Sequence, residues 1–303
     1  MVSVFFIGIY LYEFLKVEDH KEYEPSFNYL WFLTCLYHDF GYIIENDIDD
    51  TWLDDINYDV YEHLEIPNDL TTYYDAEIIK RYSEYRHNVD HGIEGGRKLY
   101  DLLKRNYYEH QERWAKKNRT IPIDDFEYPK GIWFRKRHEK YYAEAALNIM
   151  LHNIWFVEND QNKDGIISEK GKEETDAELY RKAKLDKLIG KKIKFTYSCA
   201  LLFVLIYADT LEPVKKIHKS KDDTEKNAMQ LNNVKHYKDI LDNIFISTQG
   251  NKLILSFNKN RLSSIDYPYD LWVKDICVMR EWTDVEIENI DNRIIIDFHA
   301  DNN

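Results

Sequence analysis

The sequence predicts a mainly helical protein that ends in a small α+β unit, with the change falling near residue 240. Two observations predict it. Before that point, apolar residues come in long runs or recur at the spacing of a helix face. After it, Ile244–Gln249 and Lys252–Phe257 read as short strands on either side of Gly250-Asn251, a two-residue hairpin pattern. We divide the chain into 1–240, helical throughout, and 241–303, the α+β addition.

The elements follow in order. Residues 4–17 form an apolar first helix, too short to span a bilayer and without the basic start or cleavage site of a signal peptide. We read it as a buried helix. A turn over 19–25 leads to a second helix over 26–39. Residues 45–69, rich in Asp and aromatics, form an inserted loop with a short helix. A helix starts near His91 and runs through Leu99, Leu102 and Leu103. Residues 118–131, with Pro122 and Pro129, make an extended connection. The small and apolar residues of 143–151 suit a buried helix, and 199–208 is the most apolar stretch of the chain. In the tail, a helix fits Tyr269–Trp282, and 285–298 alternates like two strands about a turn at Asp291-Asn292. The tail suits packing or homo-oligomer contacts more than chemistry.

Charge and cysteine content narrow the function classes. A net charge of −14 argues against a broad duplex nucleic-acid surface, because such binding rests on neutralising phosphates. It leaves room for a small anionic substrate held locally. The basic clusters Arg135-Lys136-Arg137, Lys191-Lys192-Lys194 and Lys215-Lys216 read as solvated faces. Cys35, Cys199 and Cys277 stand apart in apolar contexts, as reduced core thiols in a soluble cytoplasmic protein without a membrane partner.

Five residues carry most of the chemical information: His38, Asp39, His91, His152 and Asp209. His38-Asp39 closes an apolar helical run, and Gly41 is a stop signal. Neighbouring side chains on a helix diverge by about 100°, so two of them serve one ligand best where the helix is ending. His91 opens a helix and His152 ends one. Asp209 lies at the end of the most apolar run, where an ionised carboxylate needs a partner and a cation is the most economical one. Imidazoles with carboxylates form the mixed N/O set that suits Zn, Fe or Mn, with Mg also compatible.

With these residues in place, residues 1–218 resemble the HD-domain superfamily of metal-dependent phosphohydrolases. The resemblance implies an HD-domain-like helical bundle in which the His-Asp pair, further histidines and a late Asp meet around one or two metals. His38 and Asp39 match the name-giving pair, and Asp209, in Tyr207-Ala208-Asp209-Thr210-Leu211, matches the late Asp. His91 and His152 look like the extra histidines of the two-metal branch. The implied function is hydrolysis of a nucleotide or other phosphoester or phosphoanhydride by metal-activated water. His87 and Arg86 lie one turn before His91, placed to protonate a leaving group or hold a phosphate.

One departure stands out. The family pattern opens with a His on the first helix, and the only upstream His here is His20. In an antiparallel helix pair the end of the second helix lies beside the start of the first, so His20 falls roughly 20 Å from Asp39 at about 1.5 Å per residue. The expected ligand falls at or just before Met1. This departure favours a second reading, an HD-like scaffold that binds a nucleotide or protein partner without turnover; a metal-dependent nuclease is a third. Asp160, Asn162 and Asp164, followed by Gly165, also fit the opening of a calcium loop, but its twelfth position is Gly171 instead of a bidentate Glu.

Overall fold

The computed structural model describes residues 2–15, 26–40, 91–117, 136–153, 192–195, 200–213, 237–265 and 267–298. They form five bundle helices, α1 Val2–Leu15, α2 Phe27–Tyr37, α3 His91–Lys117, α4 Lys136–Leu151 and α5 Ala200–Leu211. Strands β1 Ile244–Gln249 and β2 Lys252–Phe257, helices α6 Lys259–Ser264 and α7 Tyr269–Trp282, and strands β3 Glu286–Ile290 and β4 Arg293–Asp297 complete the fold. The protein is mostly helical, with a four-stranded antiparallel sheet at its C-terminal end in the order β1-β2-β4-β3. No described helix is long and apolar enough to cross a membrane.

Helix α5 is the centre of the core. Every one of its residues except Asp209 is buried, as expected of a helix that is apolar all round. Each large side chain so placed contributes about 1.5–3 kcal/mol of transfer free energy. Helix α1 packs on α5 and, antiparallel, on α2. Tyr12 stacks on Phe27 with ring centroids 3.6 Å apart. Gly8 meets the Trp31 ring so closely that a Cβ there would overlap it. Phe5 lies edge-on to Phe32, and the Trp31 indole donates to the Phe5 carbonyl at 2.9 Å. This pairing carries the end of α2 to the start of α1, as the helix-pair geometry requires. His20 lies outside the described residues. Helix α1 is only partly buried, contrary to expectation: Phe6 is 65% exposed and Tyr10 42%, because α2 and α5 cover one side of it and leave the other open.

The C-terminal unit shares this core. Phe298, just past β4, packs on Phe14, Phe203 and Tyr207. The Tyr207 hydroxyl bonds Thr283 Oγ1 at 2.7 Å, and Thr283 in turn donates to the Met279 carbonyl, so Tyr207 is the donor. Burial pushes the Tyr207 pKa well above its ordinary value, which keeps that proton in place. Tyr267 donates to the Pro213 carbonyl at 2.7 Å. Ile193 bridges to the end of α7 through two backbone bonds of 2.8 Å. The basic cluster beside it is not simply a solvated face: Lys192 donates to the Arg280 carbonyl and Lys194 pairs with Asp284.

The sheet follows the period-two rule. Leu253, Leu255 and Phe257 on β2, Ile294 and Ile296 on β4, and Ile287 on β3 are buried on one face, against the apolar side of α7 formed by Trp272, Val273, Ile276 and Met279. Both hairpins turn where expected, with positive φ at Gly250 and Asp291. Helix α6, capped by the Asn258 side chain accepting from the Arg261 N–H, was not anticipated. The insertion at 45–69, the connection at 118–131, the calcium-loop residues Asp160, Asn162 and Asp164, Cys199, and the basic residues Lys191, Lys215 and Lys216 lie outside the described residues. Among the described cysteines, Cys35 is buried and Cys277 half-buried, both unpaired by disulfides.

Replacing Tyr207 by Phe strands the acceptor side of Thr283 and should lower stability by about 0.5–1.5 kcal/mol without changing the fold. Denaturant unfolding followed by circular dichroism checks this value.

Candidate metal centre

Three helices bring their C-terminal ends to one place. His38 caps α2, His152 follows directly on α4, and Asp209 sits in the last turn of α5. The C-terminal end of a helix carries roughly half a negative charge, which Lys or Arg in the last turn commonly offsets. None of these three helices has a basic residue in its last turn. The Asp39 and Asp209 carboxylates add to the same negative region, so it favours a cation strongly.

The histidines are set in one way. His38 Nδ1 lies 2.8 Å from the Cys35 carbonyl, and His152 Nδ1 bonds the Ile149 carbonyl; each partner is three residues earlier, at the end of the helix. A carbonyl can only accept, so the proton sits on Nδ1 and Nε2 is left as the acceptor atom of each ring. This second bond orients the ring, as it does in metal-ligating histidines generally. Both rings are fully buried.

His38 Nε2 lies 3.2 Å from Asp39 Oδ2 and 3.3 Å from Asp209 Oδ1. The three residues offer ligand atoms within 4.8 Å of one another. Lone-pair atoms this close together are offset by hydrogen-bond donors or by positive charge, and a metal ion is one group able to supply that charge. A divalent ion with bonds of about 2.1 Å at angles between 90° and 110° sets its ligands about 3.0–3.4 Å apart. The two spacings from His38 Nε2 fall in that window, and all three ligand atoms lie within 4.8 Å of one another, so His38, Asp39 and Asp209 could hold one ion.

His152 and His91 continue the array. The His38 and His152 rings meet edge to face with centroids 5.7 Å apart, and His152 meets His91 in the same way at 5.4 Å. His91 is part-exposed, and its Nε2 accepts from the Asn153 amide at 3.0 Å. The second position therefore differs from the first. For His91 to bind an ion through Nε2, Asn153 must release it. His87 and Arg86 lie outside the described residues.

Several contributing residues were missed in the sequence. Asn153 is one, and its adjacency to His152 was the available signal. The glycines of α3 are another. A Cβ on Gly92 would come within 2.8 Å of His152 Cε1; one on Gly95 would strike the Tyr37 carbonyl, and one on Gly96 the Ala146 carbonyl. Gly92, Gly95 and Gly96 thus form the face that lets α3 lie against α4 and the end of α2. Glu94 and Arg97, a buried ion pair at 2.9 Å in the same helix, gave no recognisable pattern. Thr34, Asn148 and Thr210 also have buried oxygens without a hydrogen-bond partner among the described residues. Thr34 and Asn148 precede His38 and His152 by one turn, and Thr210 follows Asp209.

Two outcomes test this construction. Gly95→Ala should cost about 1–3 kcal/mol by overpacking, because its methyl must displace the backbone one residue before His38; thermal unfolding measures it. Added Mn²⁺ or Zn²⁺ at about a hundred times its dissociation constant should stabilise the protein by about 2.7 kcal/mol. Asp209→Asn should weaken that affinity at least about tenfold, in keeping with the sensitivity of such sites to lost partners, as read by isothermal titration calorimetry. No protein-family model, curated protein or solved structure matches this chain.

Proposed function

We propose that this protein is a metal-dependent phosphohydrolase of the HD-domain type, acting on a small phosphate-containing substrate such as a nucleotide. The observation that carries the reading is the approach of His38 Nε2 to both Asp39 and Asp209, with Nδ1 tied to the Cys35 carbonyl. The order of these residues along the chain agrees with the family pattern, and their helical settings agree with it too.

His38, Asp39 and Asp209 would hold the ion, with His152 beside them. A divalent cation there supplies charge neutralisation for a phosphoryl group and acidifies water. The protein's own groups do the remaining work. The buried side of the cluster excludes bulk water, and the part-exposed His91 marks the side from which substrate enters. Donation from Asn153 to His91 Nε2 keeps the His91 proton on Nδ1, from which the neutral ring would donate a hydrogen bond to a phosphoryl oxygen.

A second reading has one observation in its favour: His91 is engaged by Asn153, which suits a scaffold that binds a nucleotide or protein partner without turnover. Metal content and turnover separate the two. Purified protein should carry at least one Mn, Fe or Zn per chain and release phosphate or nucleoside from a panel of dNTPs, cyclic nucleotides and single-stranded DNA with added Mn. Asp209→Asn should lower the rate by at least about a thousandfold, since the ion's several kcal/mol of transition-state stabilisation goes with it. His91→Gln that loses turnover but keeps the metal would place His91 as a hydrogen-bond donor to substrate; loss of metal would place it as ligand. Metal-free, inactive protein across the whole panel would leave the scaffold reading standing.

A further inference from the structure

We propose that the β1 edge of the C-terminal sheet, which no other described strand covers, is a dimerisation surface whose partner is a second copy of this chain, paired antiparallel about a two-fold axis at Ile246. The two edges of the sheet are unlike. β3 carries Glu286 and Glu288 along its length, the charge that protects sheet edges from unwanted pairing. β1, Ile-Phe-Ile-Ser-Thr-Gln, has no charge and no proline, and its unbroken register with β2 has no bulge. Phe245 is 60% exposed on this strand, and Ile246 38%.

The backbone pattern fixes the register. The Asn258 N–H donates to the Asn243 carbonyl at 2.9 Å, which makes Asn243 opposite Asn258 a hydrogen-bonded pair. Pairs alternate along an antiparallel ladder, so Phe245, Ser247 and Gln249 direct their N–H and C=O groups at β2. Ile244, Ile246 and Thr248 direct theirs at the open side. A two-fold axis at Ile246 sets Ile246 against Ile246 and Ile244 against Thr248, and all three outward residues then bond on both groups.

For self-pairing, the charge distribution selects this edge over β3. With a net charge of −14, two copies repel over most of their surfaces, and joining at β3 would set Glu286 and Glu288 near their own counterparts. At β1 the strands that meet are neutral. Lys252, opposite Gln249 at the end of the neighbouring strand, is already paired with Asp297 at 3.0 Å. One short strand pair lies at the small end of specific interfaces, so the dissociation constant falls on the order of micromolar.

Sedimentation velocity on the full chain, over roughly a hundredfold range of concentration around that value, should show a closed monomer–dimer equilibrium. Ile246→Lys sets two ammonium groups opposite each other and should raise the dissociation constant at least about tenfold. Ile290→Lys, on the protected edge, should leave it unchanged within about twofold. Hydrogen exchange on the unmodified protein needs no variant to fold: protection of the Ile244, Ile246 and Thr248 amides should rise with concentration while that of Phe245, Ser247 and Gln249 stays constant. A monomer at every concentration, open-ended association, or a dimer that ignores Ile246→Lys and leaves those three amides unprotected would overturn the proposal.

Discussion

The contact between His38 and the two carboxylates governs the arrangement around it. Helices α2, α4 and α5 all end at one place, where their dipoles add to the charges of Asp39 and Asp209. Gathering like partial charges in this way costs free energy unless a cation offsets it. The fold holds the cluster together through neighbouring features that are individually ordinary: a central apolar helix, a glycine face on α3, and two histidines anchored on carbonyls three residues earlier. Each would be unremarked alone. Together they set the positions of electron-rich atoms within a few ångström.

The first position is more nearly assembled than the second. His38, Asp39 and Asp209 bring ligand atoms within 4.8 Å of one another, whereas His91 is engaged by Asn153. This difference follows from where the residues come from. The first three sit at or beside the ends of helices α2 and α5, which pack on each other within the core. His91 begins a helix, and its ring lies at the part-exposed side of the cluster. An amide hydrogen bond worth about 1 kcal/mol is easily exchanged for a stronger contact, so the second position can respond to what enters the site while the first remains set.

Much of this was legible in the sequence. The ends of the bundle helices were marked by His38-Asp39 and by His152, and the strongest apolar run identified the central helix. The tail was read closely, because alternation with a two-residue turn is a local signal: both hairpins and the helix Tyr269–Trp282 lie where that pattern put them. What escaped was non-local. The glycines at 92, 95 and 96 look like weak helix formers until α4 and the end of α2 are seen against them. Asn153 has no meaning without His91, which is far away in sequence. Partial exposure of α1 could not be read either, since an apolar helix does not reveal how many neighbours it has.

The bond between Tyr207 and Thr283 has a consequence for how the protein can be divided. Tyr207 stands two residues before Asp209 on the same helix, so the C-terminal unit is fastened to the very turn that bears this carboxylate. Phe298 adds a second fastening on the same ring. Severing the chain ahead of the first hairpin would leave the bundle's candidate site residues intact in sequence, yet would remove the Thr283 and Phe298 contacts that Tyr207 makes. The tail thus braces, through Tyr207, the helix that carries Asp209.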